Sequence, residues 1–227
     1  MSDRLYGLIP AAGTGARLGG DTPKQYLPLA GAAMIVHAVR ALLSHPDIET
    51  VFVVLSPEDT RFAELDWSDC GERLAPLYCG GPTRRDSVRN GLVAVRDVVD
   101  ADDWILVHDA ARPGLSRDDL ARLVDAVRDD EVGGILAVPL ADTLKRADAE
   151  QRIVATAPRE GLWRAQTPQM FRYGTLLRGL DAAPDATDEA SAVEALGLRP
   201  RLVLGSARNM KITYPGDMAA AERLLTK

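Results

Sequence analysis

The sequence predicts a doubly wound, mostly parallel α/β sandwich of the Rossmann-like kind, with a protruding β-hairpin arm. Three observations lead there. Short, nearly unbroken apolar runs recur at residues 5–9, 51–55, 104–107 and 135–138. Such runs, without polar alternation, mark strands covered on both faces. Amphipathic stretches lie between them, and strand–helix alternation favours a parallel sheet with helices on both sides. A glycine-rich segment follows the first run directly, and open α/β sheets bind ligands beyond the carboxyl ends of their strands.

Taken in order, residues 34–43 carry Ile35, Ala38, Val39 and Leu42 on one face of a predicted helix. A second helix is predicted over 87–95, with Thr83 upstream as its N-cap. Leu120, Leu123, Val124 and Val127 define a third. Ser116 and Asp119 have capping-box spacing before it, and Leu115 and Leu120 are placed for a hydrophobic staple. Pro215 is suited to open a last helix. Residues 142–158 break the rhythm: extended stretches at 143–146 and 152–156 flank the polar turn 147–151. An isolated hairpin is marginally stable in water, so an arm over 140–160 is expected to lean on a second subunit, giving a homodimer. Residues 1–227 are otherwise expected to form a single domain.

The composition narrows the function. A chain of 227 residues with 46% hydrophobic content can bury one substantial core. Its net charge of −6 argues against a uniformly basic nucleic-acid surface. An anionic ligand then needs a local cluster of Arg, Lys and backbone N–H groups. Cys70 and Cys79 form no CxxC, and His37, His45 and His108 are scattered, so zinc and disulfide frameworks lack support. The start lacks a signal-peptide apolar region, and no apolar stretch approaches the ~18 residues of a membrane helix. A cytoplasmic protein is expected.

The glycine-rich segment reads Ala11-Ala12-Gly13-Thr14-Gly15-Ala16-Arg17-Leu18. Small residues let the backbone approach a ligand, and successive N–H groups form an anion-binding nest. Arg17 and Lys24 add positive charge. Leu18 occupies a place where a dinucleotide fingerprint needs Gly or Ala, and no GK[ST] follows for a Walker loop. Further along, Gly81 and Ser87 lie where a turn enters a helix. Ser87 serves either as a directional contact to a base or as a polar residue of the first turn. Asp109 stands at the end of the run 104–107, a position suited to chemistry. Arg112 either pairs with Asp109 or contacts a ligand. His108 is expected to point away from Asp109 and takes no catalytic role. Thr187 has the character of a helix N-cap, with Asp188 and Glu189 favourable to the helix dipole.

Residues 10–25 resemble the signature of the sugar-phosphate nucleotidyltransferases. Within them, Pro10-Ala11-Ala12-Gly13 and Pro23-Lys24-Gln25-Tyr26 are similar to the 2-C-methyl-D-erythritol 4-phosphate cytidylyltransferase family. The resemblance extends from Leu8 to Leu225 through Asp109-Ala110-Ala111-Arg112-Pro113, Thr167-Pro168-Gln169-Met170-Phe171 and Thr187-Asp188-Glu189-Ala190-Ser191. Leu18 stands where the family commonly has Met.

The resemblance implies a nucleotidyltransferase fold and a cytidylyl transfer with Mg²⁺ or another divalent cation as cofactor. CTP and a small polyol phosphate, 2-C-methyl-D-erythritol 4-phosphate, would give 4-diphosphocytidyl-2-C-methyl-D-erythritol and pyrophosphate, in non-mevalonate isoprenoid precursor biosynthesis. It places Ala11, Ala12, Gly13, Thr14, Gly15, Gly81, Ser87 and Ala110 around the nucleotide. Asp109 falls near the metal, ribose and substrate hydroxyls. Arg17 and Lys24 would stabilise the transition state, while Arg159 and Lys211 hold the acceptor phosphate. Arg112, Thr143, Thr167 and Thr187 complete the acceptor site, with Thr143 and Arg159 reaching a neighbouring subunit. The rivals are ribitol-5-phosphate cytidylyltransferase, a transferase of another nucleotide, and a nonenzymatic nucleotide sensor on the same fold.

Overall fold

The structure is a computed structural model that describes residues 3–13 and 22–226. Strand β1 (Leu5–Pro10) sends Leu5 and Ile9 into one buried cluster and Tyr6 and Leu8 into another. Burial of both faces explains its unbroken apolar run. A small hairpin, β2 (Pro28–Leu29) with β3 (Ala32–Ala33), leads into α1 (Met34–Leu43), whose bounds match the predicted helix. Ile35, Val39 and Leu42 pack into the cluster of Leu5. Strand β4 (Ile48–Val54) pairs parallel with β1, and β5 (Leu74–Leu77) pairs parallel with β4.

Helix α2 (Arg84–Ala94) starts at Arg84 rather than at residue 87. Its first turn is polar, so apolar periodicity does not reveal it. The cap does: the Thr83 hydroxyl oxygen accepts the Asp86 N–H at 3.1 Å. Val88 and Leu92 cover the Tyr6 face of the sheet. The chain then crosses to β6 (Trp104–Val107), on the other flank of β1, and enters α3 (Arg117–Val127). Ser116 caps α3 by accepting the Asp119 N–H at 3.1 Å. Leu120, Leu123, Val124 and Val127 pack on the Leu5 side, opposite α2. Strand β7 (Gly133–Pro139) follows.

Strands β8 (Leu144–Ala147) and β9 (Ile153–Ala157) form an antiparallel ribbon apart from the main sheet. They form the hairpin read from residues 142–158. Ile153 is 67% exposed and Val154 57%. Strand β10 (Trp163–Arg172) then inserts antiparallel between β6 and β7. Helix α4 (Tyr173–Ala182), helix α5 (Glu189–Glu194), strand β11 (Arg201–Leu204) and helix α6 (Pro215–Leu225) follow, with Pro215 in the first turn of α6.

The main sheet runs β11-β7-β10-β6-β1-β4-β5, and every neighbouring pair is parallel except the two made by β10. It is the doubly wound, mostly parallel α/β fold expected. The chain leaves β1 toward β4 on one flank and returns to β6 on the other, and this reversal opens a crevice beyond the carboxyl ends. Among the described residues, no helix is long and apolar enough to cross a membrane.

Two local devices shape the crevice. In β10, Ala165 faces Ala137 and Gln169 faces Ile135, so four steps along β10 oppose two along β7. Pro168 lies in this bulge, where no ladder donor is required. On the other side, Gly80 donates its N–H to the Leu55 carbonyl at 2.8 Å. A Cβ at Gly80 would lie 2.2 Å from the Ala12 Cβ and 2.7 Å from the Leu55 oxygen. The loops after β1 and β5 meet this closely only because position 80 has no side chain.

Gly80→Ala is expected to destabilise the fold by about 1–3 kcal/mol through overpacking. An added Cβ at Gly216 meets nothing within 4 Å, so Gly216→Ala is expected to be neutral or stabilising. Urea titrations of both variants check the contrast.

Candidate active site

A cavity of about 720 Å³ lies over the carboxyl ends of β1 and β6, within the range of about 300–1,000 Å³ usual for small-molecule sites. Ala11, Ala12 and Gly13 line it as the continuation of β1. The Ala11 N–H donates to the Val54 carbonyl at 2.8 Å, which fixes where this loop leaves the sheet. Thr14, Gly15 and Arg17 lie outside the described residues. Lys24 lines the cavity from a short 3-10 turn, Lys24–Tyr26. Two anchors hold that turn: Gln25 Nε2 donates to the Ala11 carbonyl at 2.7 Å, and the Tyr26 hydroxyl donates to Asp59 at 2.7 Å. Pro23-Lys24-Gln25-Tyr26 thus encodes one cation on the cavity and two side chains that place it.

Gly81 and Ser87 form another part of the wall. The Gly81 N–H donates to Ser87 Oγ at 3.1 Å, and that hydroxyl donates to the Thr83 carbonyl at 2.9 Å. The two readings of Ser87 coexist, since it belongs to the first turn of α2 and faces the cavity. Ala110 and Lys211 also line the cavity, as does Asp109.

Asp109 is held through its backbone as well as its carboxylate. Its N–H donates to Thr167 Oγ1 at 3.0 Å. Thr167 Oγ1 lies 2.9 Å from His108 Nδ1, and His108 Nε2 lies 3.0 Å from the Arg112 carbonyl. A carbonyl only accepts, so Nε2 carries the proton and Nδ1 accepts from the Thr167 hydroxyl. His108 is fully buried behind the cavity and orders the turn after β6, away from the Asp109 carboxylate's partners.

Those partners are cations. Arg84 Nε lies 2.8 Å from Asp109 Oδ1, and Lys211 Nζ lies 2.8 Å from Oδ2. Burial pushes the Asp109 carboxyl upward, but Arg84 and Lys211 outweigh it and hold the group well below the usual carboxylate range. Arg112 Nε is farther, 3.7 Å from Oδ2. The Arg112 guanidinium donates to the Asn209 carbonyl at 2.7 Å and the Ala165 carbonyl at 3.2 Å. Its position is that of a brace between the β10 bulge and the turn before Lys211, and it does not line the cavity.

Other predicted residues sit elsewhere. Thr167 backs Asp109 from the bulge. Thr143 and Arg159 lie on or beside the arm, and Arg159 Nη1 donates to the Ala141 carbonyl. Neither lines the cavity. Thr187 is not the N-cap of α5. Asp188 takes that place, because its carboxylate accepts the Ser191 N–H at 2.9 Å while Ser191 Oγ accepts the Asp188 N–H at 3.1 Å. This reciprocal box fixes the helix start one residue later than read.

Sequence reasoning misses Arg84 and Glu189 as site residues. Arg84 sits in a polar Thr83-Arg84-Arg85-Asp86 run, with no local signal to tell it from Arg85. Arg84 lines the cavity, whereas Arg85 donates to the Leu180 and Ala183 carbonyls. Glu189, read as a dipole partner, has a side chain only 1% exposed and pairs with Arg84.

The sequence profile of the IspD family, described as 2-C-methyl-D-erythritol 4-phosphate cytidylyltransferase, matches residues 5–227. A protein of that name from Dechloromonas aromatica (strain RCB) is 56% identical over 222 residues, 98% of this chain and 97% of its own. Another from Aromatoleum aromaticum (strain DSM 19018 / LMG 30748 / EbN1) is 55% identical over 223 residues, 98% of this chain and 96% of its own. Among solved structures, a 4-diphosphocytidyl-2C-methyl-D-erythritol synthase superposes with a TM-score of 0.88 at 41% identity, covering 99% of this chain and 100% of that one. The 2-C-methyl-D-erythritol 4-phosphate cytidylyltransferase from Thermus thermophilus gives 0.81 at 32% identity, with the same coverage.

The His108 hydrogen bonds have a pH signature. Burial pushes the imidazole down to about 4, against an ordinary value near ~6.5. Between these values the unfolded chain binds a proton that the folded chain does not, so stability falls as pH drops from about 6.5 toward 4. His108→Gln is expected to lower the thermal midpoint at neutral pH and to flatten its fall across this window. Parallel midpoint curves for the two proteins would show that His108 does not contribute.

Proposed function

The chain belongs to the 2-C-methyl-D-erythritol 4-phosphate cytidylyltransferase family and is a cytidylyltransferase, and on that basis we propose that its cavity binds CTP and the acceptor phosphate side by side. The observation that carries this reading is the convergence of the Ala11–Gly13 backbone, Lys24, Asp109 and Lys211 on one cavity of an otherwise acidic molecule. The triphosphate lies along the glycine-rich loop, where backbone N–H groups and the positive charges of Arg17 and Lys24 meet it. The cytosine lies against Gly81 and Ser87, and Ala110 contacts the nucleoside. The relatives carry the methylerythritol name, so ribitol 5-phosphate is not the favoured acceptor.

The acceptor's phosphate oxygen attacks the α-phosphorus in line. A new P–O bond forms, and the bond to the β-phosphate oxygen breaks, with its electron pair leaving on pyrophosphate. A phosphomonoester loses its second proton near ~6, so the nucleophile is already ionised and needs no general base. The buried, neutral His108 is not called on. The chain's task is to bring two anions together. Lys24 and Arg17 stabilise charge developing on the triphosphate, and Lys211 orients the acceptor phosphate for attack.

No group of three or more His, Cys, Asp or Glu side chains able to hold a metal occurs among the described residues. Asp109, kept ionised, is the acidic side chain among the described residues that line the cavity. This suits a divalent cation carried in by the triphosphate rather than a dedicated protein cage. When bound, Mg²⁺ would neutralise phosphate charge, with Asp109 the nearby carboxylate.

The arm accounts for Thr143 and Arg159. A two-stranded ribbon with exposed Ile153 and Val154 needs a partner surface. In a homodimer joined through the arms, Arg159 and Thr143 enter the acceptor site of the partner, where the Arg fork grips phosphate.

Three outcomes test this scheme. Pyrophosphate is released from CTP, Mg²⁺ and 2-C-methyl-D-erythritol 4-phosphate and not in the absence of the acceptor. Lys24→Ala lowers kcat about 100–1,000-fold, the usual cost of one preorganised transition-state donor, with a smaller change in CTP affinity. An unaltered kcat rules out that role. Mixing Lys24→Ala with Arg159→Ala protomers restores part of the activity, because one of the two sites in the heterodimer is intact. Verified heterodimers without recovery would exclude a shared site.

A further inference from the structure

Asp109 and Lys211 are ion-paired at 2.8 Å, yet the proposed reaction needs the Lys211 ammonium on a substrate phosphate. Taking Lys211 away from a buried carboxylate is costly unless another cation keeps that carboxylate satisfied. The side chains around Asp109 meet this requirement. Its two oxygens have separate close partners: Oδ1 takes Arg84 Nε at 2.8 Å, and Oδ2 takes Lys211. Arg84 is itself gripped from the far side. Its Nη1 donates to Glu189 Oε1 at 2.7 Å and its Nη2 to Glu189 Oε2 at 3.1 Å. The planar guanidinium spans two carboxylates at once, which a lysine ammonium does not do.

The charges of this cluster add up informatively. Two carboxylates, Asp109 and Glu189, face two guanidiniums, Arg84 and Arg112. Both arginines are fixed, Arg84 by Glu189 and Arg112 by the Asn209 and Ala165 carbonyls. Lys211 is the surplus cation, and its side chain is 41% exposed, against 28% for the doubly paired Arg84 and 11% for Arg112. It is the member of the cluster that an entering anion is able to recruit.

We infer that Glu189 and Arg84 form a positioning clamp that holds Asp109 in place and compensated, so that Lys211 is released to the acceptor phosphate. This inference rests on the assignment of Lys211 to that phosphate. Glu189 does not line the cavity and acts only through Arg84. It lies directly after Asp188, the cap of α5, so the clamp also ties the Thr187–Ser191 segment to the end of β6. Arg84 and Glu189 are positioning residues, not catalytic ones.

The test is steady-state kinetics of pyrophosphate release, with KM measured separately for CTP and for 2-C-methyl-D-erythritol 4-phosphate. Arg84→Gln leaves two carboxylates for Arg112 and Lys211, which ties Lys211 to Asp109. The acceptor KM is then expected to rise about tenfold or more, with the CTP KM changing less than about threefold. Adding Glu189→Gln removes the excess negative charge and is expected to recover at least about a third of the lost acceptor affinity. A pair needed only for folding would be rescued in thermal midpoint, whereas the clamp requires recovery of the acceptor KM itself. An acceptor KM within about twofold of wild type in Arg84→Gln, or a folded double variant no better than the single one, overturns the clamp. Where Arg84→Gln does not fold, Arg84→Lys serves instead. It keeps the charge but does not span both carboxylates, so the acceptor KM is expected to rise more than about threefold, and a smaller rise overturns the inference. Failure of the underlying reading is seen separately: Lys211→Ala would leave the acceptor KM unchanged.

Discussion

Asp109 places a buried negative charge on a cavity also lined by Lys24, Arg84 and Lys211, and much of the surrounding architecture answers that charge. Removing one partner from a buried ion pair typically costs about 3–5 kcal/mol. Here the carboxylate has close cations on both oxygens, and its N–H is held by Thr167. The groups that satisfy it come from distant parts of the chain: Arg84 opens α2, Lys211 precedes α6, and Thr167 lies in the β10 bulge. The carboxylate thereby collects three separate elements at the end of β6. The site is as much a consequence of burying Asp109 as of the glycine-rich loop.

The sheet makes that convergence possible. Strands β1, β4 and β6 run parallel, so their carboxyl ends open on the same side. Alternate residues of each enter opposite clusters: Trp104 and Leu106 pack with Leu5 and Ile9, while Ile105 and Val107 pack with Tyr6 and Leu8. With both faces occupied by helices, the polar residues are left to the strand ends. The acidic exterior then matters less than the local field, since Lys24 and Lys211 stand on one concave cavity.

The sequence was legible where a local rule decides the outcome. Burial on two faces writes itself as an apolar run, so β1 and β6 were readable, and one apolar stripe delimited α1. The Gly-rich loop and Asp109 are readable because small residues and charges at strand ends are informative, whereas Lys211 is reached only through the resemblance to the family. Competition between adjacent caps was not readable: Asp188 displaced Thr187 because Ser191 completes a reciprocal box with it. Strand β10 escaped because its bulge interrupts the alternation, with Pro168 inside it. Arg84 and Glu189 are 105 residues apart, and nothing in either neighbourhood announces the other. Long-range charge pairing has no period, so it enters only with the tertiary structure.

Strand β10 has a meaning beyond its place in the sheet. Its first residues, Trp163 to Ala165, are exposed beside the arm, while Gln166 to Phe171 are buried in the core. Both ends belong to one continuous backbone, anchored along β7 before the bulge and along β6 after it. The hairpin and Thr167 are thus separated along the chain by a turn and by three residues paired with β7. One strand therefore carries both the outer ribbon's return and the hydroxyl that seats the Asp109 amide.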